Sequence, residues 1–164
     1  MGSIASTTPP RYATDLTAAE DILTPIVHTG VVPARALSGG RLHLLGGCTT
    51  APQRHDTTES VIAVLSGHVA VLTGIHMEPF YPRADDMVYI PATLPYAVVN
   101  LSLNASVLAL VFRTDPGFST DIHRMPELDL AARARIDPLR AAHLDQLMSQ
   151  RAGHARRNRR PHRH

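Results

Sequence analysis

The side chains of this sequence most able to do chemistry on a small molecule gather in a few short stretches. Residues 53–60 contain Gln53, His55 and Glu59. Residues 96–113 contribute Tyr96 and Arg113, and Arg41 and His43 stand earlier in the chain. An imidazole changes protonation near neutral pH, which suits His55 to general acid/base work. A phenol can donate a hydrogen bond to a carbonyl or enolate oxygen, the chemistry open to Tyr96. Gln53 offers an amide for orienting a ligand, and Arg113 offers a fixed positive charge for a carboxylate or enolate. Glu59 reads equally as a solvated or ion-paired face residue. Cys48 is the only cysteine. No basic group adjoins it in sequence to lower its pKa, so it reads as a buried, inert thiol in a reducing, cytoplasmic protein.

The elements that must position these groups read as strands. Short apolar runs, bounded by glycine or proline, recur at 41–45, 60–65, 68–73, 87–90, 96–101 and 107–113. Several short strands with turn signals every 8–12 residues indicate an antiparallel sandwich or barrel. Arg41 and His43 alternate with Leu42 and Leu44, so they share one face, which could be the lumen or the exterior. His68 and His76 flank a hairpin and read as solvent-facing. Before the strands, 15–23 has the capping and apolar residues of a short helix. After them, 127–136 is helix-like, and Asp137-Pro138 has the form of a fresh helix start, with an N-cap aspartate followed by proline. The expected organisation is an arm and short helix over 1–24, a barrel over 25–118, a helical segment over 119–153 and a disordered Arg/His-rich tail over 154–164.

A chain of 164 residues can bury a real core as one domain. Every basic residue is arginine, and six of the sixteen lie from Arg151 onward, beyond the last carboxylate. The body is therefore mildly acidic and the high pI belongs to the tail. No apolar run approaches the roughly 20 residues of a membrane span, and no helix-turn-helix or aromatic stacking pattern accompanies the arginines. Neither a membrane nor a specific nucleic acid is expected as partner. Arginine-only usage with abundant alanine and proline suits a bacterial source of high GC content.

Residues 60–67, Ser-Val-Ile-Ala-Val-Leu-Ser-Gly, resemble the strand and turn of the first cupin motif, and residues 86–100 resemble the second. The resemblance covers about residues 39–113. It implies an all-β fold, the double-stranded β-helix or jelly-roll barrel, with a site in its mouth and the helical segments as additions. The similarity is to small single-domain bacterial cupins and, more loosely, to cupin polyketide cyclases. On this alignment the family's usual metal-ligand positions fall on Gln53, His55, Ser60 and Tyr96, so one of four ligands is kept, and Thr93 stands where the second motif has its loop glycine. A lone imidazole with an amide, a hydroxyl and a phenol is a weak donor set for a divalent ion.

The resemblance therefore implies His55 and Tyr96 as catalytic residues at the barrel mouth. Gln53, Ser60, Ile62, Val64, Val98, Arg113, Arg41 and His43 are the substrate-binding candidates, the apolar ones as lumen walls. No cofactor is favoured; the alternative is a divalent metal held by His55 with Glu59. The expected function is acid/base chemistry of the cyclase, isomerase or lyase type on a small apolar molecule in bacterial secondary metabolism. Two alternatives stand beside it: a non-enzymatic small-molecule-binding cupin and a dioxygenase-like metalloenzyme. A homodimer is implied by the same resemblance.

Overall fold

The computed structural model describes residues 22–118 and 121–158. Ten strands form two five-stranded antiparallel sheets. Sheet A has the order β1 (Ile22–Val27), β2 (Ser38–Leu44), β9 (Val107–Arg113), β4 (Ser60–Ser66) and β7 (Met87–Ile90). Sheet B has the order β10 (Ile122–Arg124), β3 (Gln53–His55), β8 (Tyr96–Asn100), β5 (Val69–Thr73) and β6 (Glu78–Phe80). Ser66-Gly67 is a corner between sheets, since β4 and β5 belong to different ones, and Gly67 makes it at φ +96°. An all-β jelly-roll sandwich follows: the strand pattern predicts the antiparallel sandwich or barrel, and the resemblance implies the jelly roll.

The inner faces meet in one apolar core that includes Leu42, Leu44, Ile62, Val64, Val71, Val98 and Val111. The two sheets differ on their outer faces, and the sequence shows why. Strands β5 and β8 read almost wholly apolar, and both of their faces are buried. Ala70, Leu72, Ala97 and Val99 pack outward against Leu128, Ala132 and Ile136 of the C-terminal helical region. Sheet A alternates instead: β7 and β9 bury every second residue, and Met87, Tyr89 and Phe112 stand exposed on its outer face.

The chain ends differ from the sequence expectation in three places. Residues 15–21 of the expected N-terminal helix lie outside the described residues, but Ile22 and Leu23 open β1, paired in register with His43 and Leu42. The barrel extends to Arg124, because β10 pairs with β3. The expected break at Asp137-Pro138 is absent: after a 3-10 turn (Pro126–Leu128), a single helix α1 runs Asp129–Asn158. A proline inside a helix removes one hydrogen bond and crowds the carbonyl four residues back. Here that carbonyl belongs to Ala134, and both Ala134 and Pro138 are exposed, so water can satisfy it while the buried stripe through Ile136 and Leu139 continues. The helix also carries residues 154–158 of the segment expected to be disordered; residues 159–164 lie outside the described part. No helix among the described residues is long and apolar enough to cross a membrane.

Candidate active site

A cavity of about 180 Å³ opens between the sheets. Leu23, Leu42, Ile62, Val111 and Arg113 line it from sheet A, Gln53, Tyr96 and Val98 from sheet B, and Thr50 from the connection before β3. Gln53 and Tyr96 face each other as a cross-strand pair of β3 and β8. The Gln53 amide Nε2 donates to the Tyr96 hydroxyl at 3.0 Å. On the far side of the phenol, at 3.4 Å, stands Nε2 of His55. That separation is longer than an ordinary O–H···N bond, as catalytic hydrogen bonds often are before substrate binds.

His55 does not line the cavity; it lies one layer behind Tyr96, 2% exposed. Its Nδ1 meets the Asp121 carboxylate at 2.9 Å. Burial is the largest influence on the ring and pushes its pKa below the usual histidine value. The Asp121 hydrogen bond opposes this, while the nearby Arg113 charge adds to it. The neutral ring follows at pH 7, with Nδ1–H donating to Asp121 and Nε2 left as acceptor for the Tyr96 hydroxyl. The contact is thus a charge-assisted hydrogen bond rather than an ion pair.

Asp121 escapes sequence reasoning altogether. Its side chain is 18% exposed. Burial alone would raise its pKa, but hydrogen bonds from the Thr57 backbone, from His55 and from Thr58 outweigh that and hold the carboxyl well below the usual carboxylate range. One oxygen takes the His55 bond; the other takes the Thr57 and Thr58 N–H groups, each at 2.9 Å, and the Thr57 hydroxyl at 3.1 Å. Strand β10 brings Asp121 here by pairing Ile122 with His55. Three residues are too few to show a period in sequence. Leu23, Leu42, Thr50 and Val111 were missed as well; two carried a signal, Val111 by sharing the inward face of β9 with Arg113 and Leu42 by alternating with Arg41 and His43.

The other expected site residues divide. Gln53, Ile62, Val98, Tyr96 and Arg113 meet at the cavity. Ser60 is on the same inner face, 1% exposed, in register with Arg113. Val64 is in the core but is not among the cavity-lining residues. Arg41 and His43 are corrected outward: Leu42 and Leu44 take the lumen positions, leaving Arg41 exposed and His43 half-buried on the outer face. Glu59 takes the face position its first reading gives it, and the alternative of a metal held by His55 with Glu59 is corrected. Glu59 is exposed, one residue before inward-facing Ser60, and accepts a hydrogen bond from the Tyr89 hydroxyl at 2.6 Å. The β4 bulge lies at Val64/Ser66, too far along the strand to turn Glu59 inward. Thr93 adopts a left-handed conformation, φ +68°, of the kind that favours glycine, and its N–H donates to the His55 carbonyl at 2.6 Å.

The donor set does not fit a tightly held divalent ion. Both nitrogens of His55 are engaged, by Asp121 and Tyr96, and Glu59 points away. Among the described residues no group of three or more His, Cys, Asp or Glu side chains is placed to hold a metal.

No protein-family profile and no curated protein matches the sequence. Solved structures do match the fold. A conserved protein with a double-stranded β-helix domain from Klebsiella pneumoniae aligns with a TM-score of 0.56 at 14% identity, over 67% of this chain and 88% of that one. Oxalate decarboxylase of Bacillus subtilis aligns at 0.58 and 15% identity, over 72% of this chain and 33% of that one. The polyketide cyclase RemF of Streptomyces resistomycificus aligns at 0.55 and 17% identity, over 65% and 71%. The chain therefore spans about a third of the decarboxylase. The fold is the double-stranded β-helix.

Proposed function

We propose that this protein is a small-molecule enzyme performing proton-transfer chemistry in the cavity, with Tyr96 as the catalytic residue and His55 and Asp121 as positioning residues behind it. The observation that carries this reading is the continuous chain Asp121–His55–Tyr96–Gln53, which ends at the cavity wall. The phenol O–H points its proton at a neutral imidazole nitrogen. When that proton moves, the O–H bond breaks, an Nε2–H bond forms, and the Asp121 carboxylate meets the imidazolium charge. The Gln53 N–H stabilises the phenolate that remains. A phenolate so held removes a proton next to a substrate carbonyl, and the phenol returns it at another atom or to the enolate oxygen. Isomerisation consists of such transfers alone; in a cyclisation the enolate carbon also bonds to a second carbonyl of the substrate, whose oxygen takes the proton, and in an elimination a β leaving group departs with it. The apolar walls keep water from the charged stages and so strengthen these electrostatic interactions.

The cavity is smaller than the roughly 300 Å³ lower bound of drug-sized sites, which favours a small substrate. RemF, a polyketide cyclase of the same fold, is in keeping with cyclisation as one such reaction. Incubating enolisable ketones and oxo acids with the protein in D2O, and following α-proton loss by NMR, tests the reading. Exchange is expected for at least one compound and should fall by about 100-fold in Tyr96→Phe. Tight binding with no exchange would leave a non-enzymatic binding protein instead.

A further inference from the structure

The polar side chains that line the cavity are largely committed to partners within the protein. Arg113, the only charged one among the described residues, is already engaged and packs on the Phe118 ring, its guanidinium carbon 4.5 Å from the ring centre. The Tyr96 hydroxyl accepts from Gln53 and turns its proton toward His55. Two hydrogen-bonding groups are left over. Gln53 is half-buried, and its amide oxygen accepts no hydrogen bond among the described residues. Thr50 Oγ1 accepts the Val98 N–H at 2.7 Å, and its own O–H proton meets no acceptor among the described residues.

The placement of this acceptor and this donor restricts the ligand that joins them. Gln53 stands across from Tyr96 on the paired strand. Thr50 is held at Val98, which also takes its N–H at 2.8 Å and follows Tyr96 by two residues on the same inner face. Two residues are about 7 Å along a strand. With hydrogen bonds of about 2.8 Å at each end, a ligand reaching both groups carries its own donor and acceptor on adjacent carbons. The donor is a hydroxyl, because an amine would enter as a cation and no carboxylate among the described residues lines the cavity to meet it. A carboxylate ligand finds no uncommitted cation either.

We infer that the cavity receives a neutral 2-hydroxyketone, with its hydroxyl on the Gln53 amide oxygen and its carbonyl oxygen on the Thr50 hydroxyl. A cavity of about 180 Å³ holds the volume of roughly six waters, which suits a short aliphatic chain against the apolar walls. The carbinol carbon then lies beside Tyr96, a placement that rests on the proton-transfer reading; the two hydrogen bonds stand without it. In the reaction the Tyr96 phenolate takes the carbinol C–H proton. That electron pair forms the C=C bond of an enediolate as the carbonyl pair moves onto oxygen. The hydroxyl proton passes to that oxygen, and the phenol returns its proton to the former carbonyl carbon. The carbonyl has moved by one carbon, with no oxidant or reductant consumed.

Calorimetry with 2-hydroxypentan-3-one, pentan-3-one and 2-oxopentanoate tests the assignment on the full chain and on Gln53→Met, which keeps the volume of the side chain and removes its acceptor. The hydroxyketone is expected to bind about tenfold tighter than the ketone, the worth of one added hydrogen bond, and tighter than the oxo acid. Gln53→Met should abolish the advantage over the ketone. A ketone or oxo acid that binds as tightly as the hydroxyketone, no binding of any of the three, or an advantage that persists in Gln53→Met would overturn the inference. If Gln53→Met does not fold, the comparison of the three ligands on the unaltered chain decides. NMR in D2O then follows loss of the carbinol proton and conversion to 3-hydroxypentan-2-one. Selective binding of the hydroxyketone with neither change would sink the proton-transfer reading and leave the ligand assignment standing. Equal affinity for hydroxyketone and ketone, with exchange on both, would do the reverse.

Discussion

Replacing Asp121 with asparagine should separate the stability of the site from its chemistry. The carboxylate accepts four hydrogen bonds, three of them on one oxygen. An asparagine amide can keep its oxygen toward the Thr57 and Thr58 N–H groups only by turning its NH2 toward His55. His55 Nδ1 must then become an acceptor, the proton shifts to Nε2, and the ring can no longer receive the Tyr96 proton. Charge-assisted hydrogen bonds contribute about 1 kcal/mol more each than neutral ones; partial exposure of Asp121 screens this, leaving a loss of about 2 kcal/mol at pH 7. For a domain of this size that lowers the melting temperature by about 4–8 °C. Asp121 has a depressed pKa in the fold, so its stabilisation is complete above about pH 4 and is lost as pH falls further. Urea unfolding of both proteins from pH 7 to pH 3 should show the gap narrowing below about pH 4. A gap that is absent at pH 7, or that persists unchanged to pH 3, would refute the reasoning.

Other perturbations follow from the same geometry. Gly40→Ala should destabilise by about 2 kcal/mol or more, because its Cβ meets Phe118 and the Thr24 carbonyl; Gly39→Ala, whose nearest neighbour is 3.5 Å away, is the tolerated control in the same melt. Thr93→Gly relieves a left-handed β-branched residue and should raise stability by about 1 kcal/mol in urea melts. Pro138→Ala should stabilise a continuous α1 by about 1–3 kcal/mol; no change in thermal melting would instead indicate a break there.

The fold was legible in the sequence because strand edges are marked chemically: glycine, proline or asparagine closes the runs, and β7 and β9 alternate. Tyr96 was legible through its position in the second motif stretch, Gln53 through the alignment ahead of the first, and Arg113 through its face on the strand 107–113. The rest depended on contacts across long separations. Asp121 joins His55 through a three-residue strand that carries no period. Arg41 and His43 share a face, but alternation alone gives two faces without saying which is inside. Pro138 carried a true local signal for a helix start, overridden because the apolar stripe continues past it and its missing bond faces water.

The most direct test of the relay is the protonation of His55, observed by 15N NMR of histidine-labelled protein with Asp121→Asn and Tyr96→Phe as assignments. The expected result is a neutral ring at pH 7, protonated at Nδ1, with an apparent pKa below 6.5 and an Nε2 shift that moves in Tyr96→Phe. A ring protonated at Nε2, or one already charged at pH 7, would contradict the account.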